Sequence, residues 1–420
     1  MGTPIPDLPI LEAEDSMLSR KFGRELSNYF AGSPLNRVGF LRSDHAFLRA
    51  AFSHPSARFL LLNELAPLVD ESQRRLAYVG YSDVKGFTGA DPFEKSEEQM
   101  IKDFNSEEFH PLILLLGLDE ANKLPASASA SDQAFEYKEY KGRPYFAVDV
   151  TPPKGAAAEA AQAANKVIDA VKAKGWSFYQ NQRHMGLEAG EAAVYANARS
   201  LLDWNSRIPF CAQCGSKTLS INAGTKRTCP PTDLAGGKLT ERGPCASRHG
   251  VSNICFPRTD PTIIAAVVSA DGSRLLLGRN KRFPPYWFST LAGFLEPGES
   301  IEEAVRREVW EESGVRLSRV VIHSSQPWPF PASLMIGAIA QALPGDGEKI
   351  DLGHDPELVD ARWFSIEEVK EALKFGVSGL GEPAPAGYKE GGLRLPPQTA
   401  IANRLITAVV DGFVGGGAKI

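Results

Sequence analysis

Residues 293–315, GFLEPGESIEEAVRREVWEESGV, carry a conflict that few folds can resolve. Ser300, with Glu303 three residues on, is a capping box, so a helix is predicted to start there. At about 100° per residue, Ile301, Ala304, Val305 and Val309 form an apolar arc turned toward a core. Glu308 and Glu312 fall inside that same arc further along, with Glu311 beside them. The face that starts aliphatic therefore ends acidic. Carboxylates crowded on a partly buried face raise one another's pKa unless cations neutralise them. Arg307 cannot balance all of them, so a divalent metal is expected. A glutamate-rich helix with a solvated face is the plain alternative, and two glutamates on the buried side argue against it.

A chain of 420 residues predicts two or three domains. With 43% hydrophobic and 23% charged residues it can bury an ample core without staples. The net charge of −5 offers no general electrostatic grip on nucleic acid or anionic membrane. No apolar run reaches membrane-spanning length, and the N-terminal residues lack a signal-peptide pattern, so no membrane association is expected.

Taken in order, residues 1–34 read as an extension. Residues 35–205 read as a mixed α/β domain, with strands at 59–62, 77–81, 112–118 and 145–150 and helices at 156–174 and 188–205. This domain is expected to be a scaffold or dimerisation module. Residues 206–257 turn rich in Cys, Gly, Pro and Thr. Cys211-x-x-Cys214 followed by Gly215 reads as a zinc knuckle, which Cys229 and Cys245 can complete; Cys255 competes for the fourth place. Five cysteines so arranged suggest metal rather than disulfides, in a reducing compartment.

Residues 258–412 alternate strands and helices. Strands are predicted at 263–268, 274–278, 287–292, 319–323, 333–342 and 361–364, and helices at 366–374 and 397–410. Asp271-Gly272 marks a hairpin between the first two strands. Residues 413–420 form a tail. Its last three, Ala418-Lys419-Ile420, are similar to the peroxisomal Ser-Lys-Leu address; without it the chain is expected to be cytoplasmic.

Ten residues past Val315, the end of the acidic stretch, stands SQPWPFPAS, residues 325–333. Alternating prolines fix an extended backbone whose carbonyls and amides are expected to stay unpaired and open to a ligand. Gln326 and Ser333 add hydrogen-bonding groups, and Trp328 and Phe330 add flat surface. A proline-stiffened connector is the plain alternative.

Gly293, Glu299 and the run Arg307-Glu308-Val309-Trp310-Glu311-Glu312-Ser313-Gly314-Val315 match the Nudix box of the Nudix hydrolases. The intact SQPWPFP, the cysteines upstream and the runs ARSLLDWN (198–205) and GVSNICFPRTDP (250–261) narrow the likeness. Over residues 195–410 the chain resembles eukaryotic, fungal peroxisomal members of the NADH pyrophosphatase branch.

The resemblance implies an α/β (α+β) fold: a Nudix α/β/α sandwich preceded by a small zinc ribbon and an N-terminal mixed α/β domain. It implies Mg²⁺ or Mn²⁺ held by Glu308, Glu312, Glu357 and the backbone of Ala292, with Glu311 as base or extra ligand. Arg307 is expected to orient the glutamates through a bidentate pair. A structural Zn²⁺ would sit on Cys211, Cys214, Cys229 and Cys245. Phe256 and Phe294 would sandwich a base, the first standing where the family usually has tyrosine. Gln326, Pro327, Trp328, Pro329, Phe330, Pro331, Ala332 and Ser333 would bind substrate, with a further contact at Ala402.

The implied reaction cleaves NADH or NAD to (reduced) nicotinamide mononucleotide and AMP, extends to NAD-capped RNA, and is carried by a homodimer. Rival readings are a Nudix hydrolase of ADP-ribose, FAD or diadenosine polyphosphates, and a non-catalytic nucleotide-binding module.

Overall fold

The structure is a computed structural model and describes residues 6–7, 17, 19, 26–121, 134–153, 158–179, 185–249, 255–354 and 357–412. The tripeptide Ala418-Lys419-Ile420 lies outside the described residues. The chain divides into two compact units, one of residues 1–32, 259–328 and 333–420, the other of residues 33–258 and 329–332.

The second unit begins with α1 (His45–Ser53), β1 (Arg58–Asn63), β2 (Ala66–Val69) and β3 (Tyr78–Val79). Then come α2 (Tyr81–Thr88), α3 (Glu97–Lys102), β4 (Ile113–Asp119), β5 (Phe135–Tyr137) and β6 (Tyr140–Asp149). The helix α4 (Ala158–Ala173), β7 (Ser177–Phe178) and α5 (Ala189–Arg207) complete the mixed domain. Seven strands form one sheet in the order β4-β6-β1-β2-β7, with β3 on β1 and β5 on β6; β1 and β6 run parallel. One sheet face buries Phe59, Leu61, Phe146 and Val148 against Val167, Ile168 and Val171 of α4. The strand predicted at 77–81 is cut short. Gly80 caps α2, its N–H donating to Asp83 Oδ2 at 3.0 Å, so Tyr81 is already helical.

The cysteine-rich stretch contributes two small hairpins, β8 (Leu219–Ile221) with β9 (Lys226–Thr228) and β10 (Thr232–Asp233) with β11 (Thr240–Glu241). Leu219 and Ile221 bury against Phe104, Met100 and Ile101, which gives this stretch a second core in the same unit.

The first unit holds β12 (Asp260–Val268), β13 (Arg274–Asn280), β14 (Leu291–Phe294), α6 (Ile301–Ser313), β15 (Leu317–Trp328) and β16 (Ser333–Ala342). It ends with β17 (Leu358–Ser365), α7 (Ile366–Phe375) and α8 (Ile401–Val410). Its six-stranded sheet runs β15-β16-β12-β13-β17, with β14 also on β12; β12 and β16 are parallel. Strand alternation sends Ile263, Ala265 and Val267 to the face covered by Ala304, Val305 and Val309 of α6. The intervening Ile264, Ala266 and Val268 meet Val369 of α7 and Leu405 and Ile406 of α8. A strand buried on both faces reads as a continuous apolar run, and the result is an α/β/α sandwich.

Elements of this unit also differ from expectation. The strand predicted at 287–292 begins its ladder only at Leu291, because Trp287 makes an isolated bridge to Arg394 and Ser289 one to Gly278 of β13. The strand predicted at 319–323 extends through Trp328. The last helix starts at Ile401 rather than residue 397.

Candidate metal and pyrophosphate site

The acidic helix forms as its sequence requires. Ser300 Oγ accepts from Glu303 N–H at 3.2 Å and Glu303 Oε2 accepts from Ser300 N–H at 2.7 Å, closing the capping box. Gly314, at φ 72°, ends the helix, its N–H donating to Trp310 O at 2.7 Å. Ala304, Val305 and Val309 are fully buried, and Glu312 on the same face is only 6% exposed. Glu308 reaches across to β14. A Cβ at Gly293 would lie 2.0 Å from Glu308 Cδ, so only glycine lets the carboxylate rest against that strand.

Arg307 organises the charges, but not as predicted. Its two-pronged grip falls on Glu299, from Nε to Oε1 at 2.6 Å and from Nη2 to Oε2 at 2.8 Å. Nη1 then donates once to Glu308 Oε1 at 2.9 Å and once to Glu311 Oε2 at 3.0 Å. The expected bidentate pair with the metal-binding glutamates is thus a bidentate pair with the loop glutamate, because Glu299 is held in line by Glu296 N–H at 2.9 Å. Arg307 drives the Glu299 carboxyl down to about 2. Burial pushes the Glu308 carboxyl upward; Arg307 opposes this, while Glu311 and Glu357 add to it by like charge. Glu357, exposed at the start of β17's approach, is therefore electrically part of the site. Ala292 lies in β14, opposite Ile264 of β12.

Carboxylates and a carbonyl are the donors that hard divalent cations take, and an acid raised first by burial and then by like charges is the imbalance that such a cation relieves. Glu308, Glu312, Glu357 and the Ala292 carbonyl fit that role by donor chemistry. Among the described residues, however, the group whose ligand atoms converge is a set of thiols, not these acids.

The first half of the proline segment is not an open backbone. Residues 325–328 close β15 as a paired strand, with Gln326 opposite Met335 and Trp328 opposite Ser333 on β16. Proline is tolerated there because β15 is the outer strand of the sheet, where a missing donor leaves no ladder bond unmade. Gln326 is fully buried. Its Nε2 donates to Tyr29 O and Thr399 O, both at 2.9 Å, and its Oε1 accepts from Ile401 N–H at 2.9 Å. This amide ties β15 to the N-terminal residues and to the start of α8 instead of facing a ligand.

Asn28 supports the same strand, with Nδ2 donating to Ser324 Oγ at 3.0 Å and Ser325 O at 2.9 Å, and Phe30 meets Trp328 edge-on at 6.1 Å. The extension gave no sign of this, since Asn28 has no local partner in the sequence. Pro327 stands opposite Leu334. Ser333 is buried, and Ala402 packs into the core with Leu405 and Ile406, so its side chain faces the fold's interior.

Pro329, Phe330, Pro331 and Ala332 belong to the other unit, where the Arg199 guanidinium lies 4.8 Å over the Phe330 ring. Phe294 is 59% exposed at the end of β14. Phe256, 44% exposed, lies in the second unit with the Lys226 ammonium 5.4 Å over its ring.

Cys211, Cys214, Cys229 and Cys245 bring their sulfurs within 4.8 Å of one another. Cys211 and Cys245 sulfurs are 3.6 Å apart, and those of Cys214 and Cys229 are 3.5 Å apart. Four converging soft donors with three of the residues buried suit a closed tetrahedral zinc site. Hydrogen bonds from Ser216 lower the Cys214 thiol to about 6, whereas burial pushes Cys229 up to about 12. Cys255 stays outside the quartet, its sulfur 3.8 Å from Ser247 O.

Family models match all three parts of the chain: a NUDIX domain over residues 259–382, an NADH pyrophosphatase-like rudimentary NUDIX domain over 56–204, and an NADH pyrophosphatase zinc ribbon domain over 206–236. Among curated proteins, the chain is 35% identical to an NAD-capped RNA hydrolase of Schizosaccharomyces pombe, across 91% of this chain and 92% of that protein. It is 35% identical to the NAD-capped RNA hydrolase NUDT12 of Homo sapiens, across 91% of this chain and 73% of the relative. The NAD(P)H pyrophosphatase NUDT13, mitochondrial, of Homo sapiens is 36% identical over 54% of this chain and 56% of its own length.

Proposed function

The chain is a Nudix hydrolase with the rudimentary NUDIX and zinc ribbon domains of the NADH pyrophosphatases, and from that premise we propose that it hydrolyses the pyrophosphate linkage of NAD(H). The products are (reduced) nicotinamide mononucleotide and AMP. The observation that carries this reading is the seating of Glu308 against Gly293, beside the Arg307–Glu299 pair, in a chain whose relatives are called NAD(P)H pyrophosphatases and NAD-capped RNA hydrolases.

The residues divide the work by chemistry. Glu308, Glu312, Glu357 and the Ala292 carbonyl would hold Mg²⁺ or Mn²⁺, ions that prefer oxygen donors. When bound, such ions neutralise the pyrophosphate charge and lower the pKa of an attacking water. Glu311, tied to Arg307 by one hydrogen bond, would take a proton or add a ligand. Arg307 fixes the loop before α6 to the helix through Glu299, which keeps the carboxylates from swinging apart. The cysteine quartet would hold a structural Zn²⁺.

NAD-capped RNA carries the same linkage, and the names of the two long-matching relatives favour it as a second substrate. The deciding experiment runs NADH, NAD, ADP-ribose and NAD-capped RNA side by side in Mg²⁺ and Mn²⁺, with chromatography of the products. Release of AMP from NADH, lost in Glu308→Gln and Glu312→Gln, is the expected result; unchanged turnover in both variants sinks the reading. The proposal includes a homodimer, tested by light scattering, and a peroxisomal address at Ala418-Lys419-Ile420, tested by deleting it from a tagged chain.

A further inference from the structure

Trp310 stands on α6 between the box glutamates and is 43% exposed. His354 covers it, with ring centroids 4.3 Å apart and planes at 27°. That imidazole is three residues before Glu357 in the chain. The segment ahead of His354 is fastened to the same helix end. Ser313 O accepts Asp351 N–H at 2.8 Å, and Asp351 Oδ1 accepts Gly353 N–H at 2.9 Å. Gly314 leaves just enough room, since a Cβ there would lie 2.8 Å from Asp351 Cβ. Two separate tethers, one backbone and one aromatic, thus bind residues 351–354 to the helix that carries Glu308 and Glu312. Glu357 stands three residues beyond His354 in the chain, and its charge adds to the upward push on the Glu308 carboxyl.

We propose that Trp310 and His354 are positioning residues, whose stack holds the segment bearing Glu357 against α6 and so sets how tightly Glu308, Glu312 and Glu357 bind a divalent cation. The backbone tether at Asp351 fixes only the start of the segment. The stack reaches further, to within three residues of the carboxylate, and it works by contact area, so any flat ring can supply it. The proposal rests on the divalent-metal reading of the box but uses no substrate, so an error in the substrate leaves it standing.

The test is Mn²⁺ binding to the full chain without nucleotide, read from the electron paramagnetic resonance of free Mn²⁺. Trp310→Ala and His354→Ala are each expected to weaken binding about two- to tenfold, the scale of one aromatic pair. Trp310→Phe and His354→Phe keep a ring in place and should bind nearly as the parent does. The double alanine variant should be no weaker than either single one. Glu357→Gln should itself weaken binding, and in that background Trp310→Ala should add nothing. Unchanged binding in Trp310→Ala overturns the proposal. So does an equal loss in the Glu357→Gln background, which would place the effect on Glu308 or Glu312 directly, and so does a Glu357→Gln variant that binds Mn²⁺ as the parent does.

Discussion

Arg307 grips Glu299, eight residues earlier in the chain, through two nitrogens at 2.6 and 2.8 Å, and reaches Glu308 and Glu311 with a third. The fork therefore joins the loop that enters α6 to the helix itself. The same guanidinium donates to Phe294 O at 2.8 Å, which brings in the end of β14. One cation thus fixes three pieces of backbone around the carboxylates.

A lysine in that place would keep the charge and lose the fork. Arg307→Lys is expected to lower kcat/KM for NADH by about 10–100-fold, the scale on which supporting residues act at metal sites. Glu299→Gln should move it in the same direction by less, since Arg307 keeps its bonds to Glu308 and Glu311. Steady-state rates at saturating Mg²⁺ check both. Parent-like rates in Arg307→Lys would mean that charge alone suffices.

Gln326 is predicted to matter for stability rather than for contact with substrate. Gln326→Ala removes the partners of Tyr29 O, Thr399 O and Ile401 N–H in a fully buried place. Each buried group left unpaired costs about 1–3 kcal/mol, so a loss of about 3 kcal/mol or more is expected in denaturant unfolding. A loss of less than about 1 kcal/mol in unfolding free energy would overturn this structural role.

The quartet makes a sharper prediction about metal. Cys245→Ala should drop bound zinc far below the parent's content and destabilise the small hairpins around β8 to β11, because binding energy at such a site is folding energy. Cys255→Ala should leave the zinc content unchanged. Elemental analysis of purified protein decides between them; zinc lost equally from both variants would place Cys255 among the ligands.

What the sequence disclosed divides along chain distance. The capping box, apolar arc, terminal glycine and inward glutamates of α6 all lie within one short window, and each could be read from it. Gln326 could not, because its three partners lie 297, 73 and 75 residues away. Alternating prolines suggested a free backbone. Only the position of β15 at the sheet edge explains how Pro327 sits in a ladder. The fourth thiol was open for the same reason: Cys245 is 34 residues from Cys211, and spacing did not exclude Cys255. Bidentate pairing by Arg307 was legible as chemistry, but its partner was set by a loop whose shape no local pattern specifies.

The N-terminal domain carries a pH prediction of its own. Glu191 on α5 is 2% exposed and accepts Leu76 N–H at 3.1 Å. Burial raises its carboxyl to about 8; Glu188 and Asp70 push the same way, and Arg75 opposes them. The buried Tyr78 hydroxyl, also pushed up by burial, feels the Glu191 charge. In the unfolded chain this acid titrates near 4.3, so the folded state holds the proton more tightly. The stability that protonation contributes is complete below about pH 4 and fades as pH rises, until it is gone above about 8. Glu191→Gln keeps an acceptor for Leu76 and has no proton to lose. Its stability should exceed the parent's by roughly 2–5 kcal/mol at pH 9, the gap shrinking steadily toward pH 5. Paired unfolding curves across that range test it, and a gap that does not change with pH would remove Glu191 as the titrating group.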